Sequence, residues 1–561
     1  MPPLSILVWL PLACGLLAAL APLPGSRPLD AAEPLDQGTA DEGAGAPAGA
    51  GAGASAGAGA RDERLGPTAP GLVALAGSIA AFGLALAYLV DYKSGGGPQH
   101  VTDTMWIRAL GIHYKLALTG LNVVLIGMTT LLFAAAVLAS NIRAFGPRQR
   151  PRMFYFQLLL AESAVLGALT SQDLILFVAF FDLMLIPFYF LIGLWGRDPE
   201  GSTRVRATIK LVIYTLVGSL LMLAAAIATG VLAAQASGGQ VDFAYSSLAA
   251  APLSHGSQDW IFLFFAAAFL VKMPAFPLHG WMPDGYRAMP IEVLMVFSGV
   301  LSKIGAYGFL AIVLPLFPYA SVHFQTLMLL IALTSILYGS LQAFSQYDAR
   351  LIAGYSSVAQ LGFITLGIFA LNSQGAQGAL LQMVNHGLVV APLLFIVGLL
   401  ARRAGGSEDV REMGGIAFRA PVLAALFLIV ALATLAMPGS SNFVGEFLIL
   451  LGVFKAKLAI AIIAFAGVVM ASVYALRLFI RAMHNRVGPA VVSREITLGG
   501  GLVLVPVIAV ILFFSLYPQF ALKRSERSVK GTVAQAHALG TGQARVASRI
   551  TDLGTVLNAS K

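Results

Sequence analysis

Glu162, Asp182, Lys272, Lys303, His386 and Glu446 each fall inside a long apolar run of this 561-residue sequence. A charged side chain at the centre of a membrane helix costs about 2.5–3.5 kcal/mol on the insertion scale. Such residues belong in a protein interior or beside water, usually with a partner. Lysine, carboxylate and imidazole share one ability, which is to take up and release a proton. Set on separate helices, with water between them, they read as a path for protons or cations. Each has a plainer alternative. Glu162 or Asp182 could be the buried partner of a lysine. His386, with Gln382 one turn before it, could make a helix-packing hydrogen bond. Lys210, at the edge of its run, could snorkel to the interface. The functional reading rests on the set, which is expensive for a scaffold.

Backbone breaks accompany two of these residues. In FLVKMPAFPLHGWMPDG (269–285), Lys272 is followed by Pro274, Pro277 and Pro283. Pro438-Gly439 interrupts another run eight residues before Glu446. Proline removes a backbone donor and frees a carbonyl. Within a bilayer, such backbone is tolerated only where it is buried in protein or lines a wet cavity. His279 and Asp284 lie towards the end of the first break, where a structural cap competes with an uptake path.

The elements that must hold these residues are membrane helices. Hydrophobic residues make up 58% of the chain and charged residues 11%, against about a quarter charged in soluble domains. Apolar stretches recur at about fourteen places, each long enough to cross a bilayer. The expected fold is an all-α polytopic membrane protein of about fourteen spans. The first span is 1–22. A low-complexity segment, 23–70, carries GAGAPAGAGAGASAGAGA and cannot bury a core. Spans two and three follow in 71–152, and 153–316 holds spans four to eight. Residues 317–485 hold spans nine to thirteen, and 486–561 the last span and a polar tail with room for a short surface helix. The two breaks fall in spans seven and twelve, five spans apart. This spacing predicts two inverted five-helix repeats, an arrangement that places an ion site near the midplane.

The net charge of +9 comes with no nucleic-acid module. Basic residues instead sort by loop. Arg143 to Arg152, Arg197 to Lys210, Arg402 to Arg419, and Arg481 to Arg494 follow spans three, five, eleven and thirteen. The positive-inside rule makes these loops cytoplasmic and puts both termini outside. The single cysteine, Cys14, can form neither an internal disulfide nor a four-ligand metal site.

At the broken segments the sequence resembles a known family. KMPAFPLHGWMPDG (272–285), FFDLMLIPFYFLIGLWG (180–196), GVLSKIGAYGF (299–309), YSSVAQLGFITLGIF (355–369), MVNHGL (383–388) and MPGSSNFVGEFLILLG (437–452) are similar to motifs of the antiporter-like proton-channel subunits. That family includes subunits of respiratory NADH–quinone oxidoreductase (complex I), multisubunit sodium/proton antiporters and membrane-bound hydrogenases. MLIPFYFLIG with NFVGEFLILLG is most similar to the subunit M branch. The resemblance, over about residues 100–485, implies roles. Lys272 takes the place of the central lysine of the first half-channel, and Asp182 that of the helix-five glutamate paired with it. Lys303 takes the place of the connecting lysine, His386 of the helix-eleven histidine, and Glu446 of the terminal residue of the second half. Glu162 and Lys210 are further candidates for the pathway.

The departures are Asp182 for the usual glutamate, Gln360 for a histidine after YSS, and GYRAMPIE (285–292) where acidic and histidine residues are usual. An amide cannot carry the proton itself at neutral pH. The resemblance further implies a proton-translocating subunit in a bacterial plasma membrane, driven by electron transfer from NADH to quinone on partner subunits. No cysteine ligands for a cluster and no dinucleotide fingerprint occur in the sequence, so NADH, FMN, iron–sulfur clusters and quinone are expected on those partners. A sodium/proton antiporter or membrane-bound hydrogenase subunit is the alternative.

Overall fold

The computed structural model describes residues 1–21, 68–95, 97–142, 144–146, 149–198 and 201–541. The low-complexity segment expected as a disordered loop falls outside these residues, except for its last three. Among the described residues, eleven helices are long and apolar enough to cross a membrane. At the other expected span positions stand the 17-residue helix Leu4–Leu20 and two interrupted segments. One runs through His255–Lys272 and Met282–Ala288. The other runs through Pro421–Thr434 and Ser441–Ala456. Ala349–Ile368 and Ser373–Arg403 are buried on every side over their most apolar windows, so they form the centre of the molecule, as all-round apolar helices must.

The fold is helical as expected, with one addition. Gln99–Ile107 and Ile112–Leu118 form an antiparallel hairpin, and the third span starts only at Val123. The hairpin is rich in β-branched residues, which suit a pleated surface. Asp103 faces Lys115 across it at 2.9 Å, and also meets His113 at 2.8 Å. The tail also exceeds the short surface helix expected there. Gln519–Gly540 is a 22-residue helix that buries Ala521, Ser525, Val529, Val533 and Ala536, a stripe at helical spacing.

The loops gather at two ends. At one end, Gly120 N donates to Ser528 Oγ at 3.1 Å, His537 Nδ1 meets Leu371 O at 2.9 Å, and Tyr88 Oη donates to Pro2 O at 2.6 Å. At the other, Arg403 Nε donates to Arg494 O at 2.7 Å, Arg402 donates to Ala144 O, and Arg197 N donates to Ala288 O at 2.7 Å. Both Arg197 and Arg350 reach Glu408 at this second end.

Candidate proton pathway

The break after Lys272 leaves carbonyls without helical donors, and the fold supplies others. Pro274 cannot donate to Leu270 O, so Ala275 N does, at 3.0 Å. Trp281 Nε1 donates to Val271 O at 3.0 Å, and Phe276 N donates to Ser335 Oγ at 3.0 Å. Buried backbone groups are almost always paired, so this bent segment is a built feature. The fifth span is interrupted opposite it. Leu174–Leu183 and Leu185–Trp195 meet at Met184, three residues before Pro187, which withholds the donor that Leu183 O would take.

Lys272 points at this second break. Its Nζ donates to Phe181 O at 3.2 Å and stands 4.2 Å from the centre of the Phe181 ring. Asp182, the next residue, accepts instead from Ser219 Oγ. No direct ion pair joins Lys272 to Asp182 among the described residues. The expected partners lie within electrostatic reach of each other, without a direct contact between their charged atoms. The carboxylate is one methylene shorter than glutamate, and Ser219 on the neighbouring helix takes it up. A small cavity lined by Met184, Thr215, Lys272, Trp281 and Phe297 adjoins the lysine.

Lys303 lies between two π-helical turns, Phe297–Leu301 and Phe309–Val313. Such turns widen the backbone ladder and recur at functional sites. Lys303 Nζ folds back five residues to donate to Ser298 O at 2.5 Å, and to Ser302 Oγ at 3.1 Å. His386 lies within electrostatic reach of Lys303, and its Nδ1 has no described partner. Glycines bring the two helices together. A Cβ on Gly387 would sit 2.6 Å from Gly299 O, closer than real side chains approach.

From His386 the polar groups continue to Glu446. Gln382, one turn away, donates to Gln360 Oε1 at 2.8 Å, and Gln360 Nε2 donates to Glu446 Oε1 at 2.7 Å. Glu446 Oε2, Gln382 Oε1 and the Tyr474 hydroxyl are buried without a described partner. At the nearby twelfth-span break, Ser440 Oγ, Ser441 Oγ and both amide atoms of Asn442 are also buried and unpaired. Polar sites of this density offer water the two to four partners it needs.

Two predicted residues stand apart. Glu162 accepts from Ser78 Oγ at 2.8 Å, facing the first two helices. Lys210 pairs with Asp284, and Arg206 lies 3.7 Å from the same carboxylate. Two others carry structure that the sequence did not signal. Arg350, 1% exposed, donates to Tyr286 O at 3.0 Å, to Met289 O at 2.6 Å and to Glu408 Oε1 at 2.7 Å. Glu292 is fully buried. Arg350 follows directly on Asp348-Ala349 and looks like an interfacial arginine. Only its long-range partners reveal it.

Membrane-length helices, broken helices and ionisable groups buried between them define a multi-pass membrane protein. Residues 171–473 match the family described as NADH:quinone oxidoreductase/Mrp antiporter, transmembrane. NADH-quinone oxidoreductase subunit M of Escherichia coli K12 is 36% identical over 84% of this chain and 94% of its own length. Subunit M of Rhodobacter capsulatus is 34% identical over 84% and 91%. A chain of respiratory complex I from Thermus thermophilus, solved with bound NADH, superposes with a TM-score of 0.79 at 27% identity, covering 95% of this chain and 99% of that one. The chain belongs to the antiporter-like NADH-quinone oxidoreductase subunit M family.

Proposed function

We propose that this chain is a proton-translocating subunit of a respiratory NADH–quinone oxidoreductase in a bacterial plasma membrane. It moves protons without redox chemistry of its own. The observation that carries the reading is the burial of Lys272, Lys303, His386 and Glu446, with Lys272 and Glu446 beside helix breaks and Lys303 between π-turns. NADH, FMN, iron–sulfur clusters and quinone sit on partner subunits, and their electron transfer supplies the energy. The other antiporter-like subunits are its neighbours. Residues 153–316 and 317–485 act as inverted halves, and the loops around Glu408 face the cytoplasm, which puts the hairpin and the start of the chain outside.

A buried lysine stays charged beside a carboxylate and is driven towards neutral when alone. In the described state Lys272 is held by a carbonyl and a ring face, with Asp182 turned to Ser219. Swinging Asp182 from Ser219 to Lys272 strengthens proton binding, and swinging it back weakens it. The released charge passes by water to Lys303 and His386. Gln360 and Gln382 cannot carry the proton, so they hold and orient Glu446 while water makes that step. Purification of the tagged chain from its own host tests the assignment. Co-purifying NADH–quinone activity is expected. A stable assembly that lacks it and carries sodium-dependent proton exchange would contradict it.

A further inference from the structure

Ser298 is held from two sides. Its carbonyl takes Lys303 Nζ at 2.5 Å and Ser302 Oγ at 2.8 Å. Its hydroxyl takes Tyr286 Oη at 2.7 Å and stands 3.3 Å from Ser357 Oγ. Tyr286, Ser298 and Ser357 are each no more than 1% exposed, and they come from three separate elements. Tyr286 lies in the short helix after the seventh-span break. The carbonyl of that same residue is gripped by Arg350, which reaches Glu408 at the charged end of the molecule. Tyr286 is thus anchored by its carbonyl to the charged end and by its hydroxyl to the middle of the eighth span. A core built only for packing would need neither the phenol nor two facing serines. Each hydroxyl can accept one proton while giving up another, which a carbonyl cannot.

We propose that the hydroxyls of Tyr286 and Ser298 are a proton relay that loads Lys303 from the end of the molecule carrying Arg350 and Glu408, with Ser357 as a positioning residue. The proposal rests on the reading of Lys303 as a proton-holding site. In the relay, Tyr286 gives its proton to Ser298 Oγ. That oxygen passes its own proton through one water to the neutral Lys303 amine, and a water entering from the charged end, itself resupplied from bulk, returns a proton to the Tyr286 oxygen. The shifts are concerted, one proton moves in all, only O–H and N–H bonds change, and no electron is transferred.

The test uses the whole complex in proteoliposomes, with NADH and quinone, measuring the rate of proton movement and the protons moved per electron in H2O and D2O. Tyr286→Phe keeps the ring and removes only the hydroxyl. It is expected to slow proton movement about tenfold or more, as loss of a positioned proton-transfer group does, and to enlarge the solvent isotope effect. Ser298→Ala does the same, Ser298→Thr restores the rate, and Tyr286→His, which can also relay, recovers most of it. If Tyr286→Phe does not assemble, the Ser298→Ala and Ser298→Thr pair decides. Parent rates and isotope effects in Tyr286→Phe and Ser298→Ala would overturn the relay. Lys303→Ala separates the two levels. If it pumps normally, the reading of Lys303 is wrong. If it fails while Tyr286→Phe pumps normally, only the relay is wrong.

Discussion

Asp182 shows how much one methylene decides. Phe181 and Asp182 arrive together at Lys272, but the lysine takes the carbonyl of the first and the second turns to Ser219. Asp182→Glu lengthens the arm towards Lys272 by one methylene while keeping the charge. Proton pumping, read by a fluorescent ΔpH probe in membrane vesicles, is expected to match or exceed the parent. Asp182→Asn, with nothing to modulate the lysine, is expected to lose about tenfold or more. An active Asn variant beside an inactive Glu variant would contradict the role of the swing. At this scale much was legible in the sequence. Lys272, Lys303, His386 and Glu446 declare themselves because ionisable groups in apolar runs are costly. Ser219 and Ser298 do not, because a serine in a membrane helix satisfies itself on its own backbone and carries no signal. Glu162 was legible as a buried charge, but its direction was not. Periodicity cannot say that it faces Ser78 and the first two helices.

The elements matter here through their irregularities. Breaks in the seventh and twelfth spans were written in proline. The π-turns on either side of Lys303 were not, since FSGVL and FLAIV have no local signature. The hairpin was missed for a different reason. Between two long apolar runs, a polar stretch with β-branched residues looks like a loop. Close packing of the eighth and eleventh spans depends on Gly299 and Gly387 meeting backbone to backbone. Gly387→Val runs into both Met128 and the Gly299 carbonyl and is expected to push the helices apart, at about 1–3 kcal/mol of overpacking. It is expected to separate His386 from Lys303 and so lower pumping more than it lowers the amount of assembled complex. That difference is measured by comparing ΔpH formation with the band intensity on a native gel. Equal loss of both would make the contact purely structural.

Across the whole molecule, Arg197, Arg350, Arg402 and Arg403 meet partners at one end. What the sequence could not show is how the segment after the seventh-span break is tied to the charged end. Arg350 grips the carbonyls of Tyr286 and Met289 in that segment, and reaches Glu408 at the end shared with Arg197. Arg350→Ala leaves these carbonyls without their donor and Glu408 with Arg197 alone. It is expected to cost about 3–5 kcal/mol, as breaking a buried pair does, and to lower the melting temperature of the purified complex. Arg350→Lys cannot reproduce the planar fork and is expected to rescue little. An unchanged melting temperature in Arg350→Ala would remove this tie.

The central claim is that protons move through this chain by way of Lys272. The most direct measurement is the ratio of protons pumped to NADH oxidised in proteoliposomes holding the assembled Lys272→Ala complex. Loss of most of this chain's share of pumping, with the complex intact, is the predicted result. A parent ratio in the intact variant would contradict it.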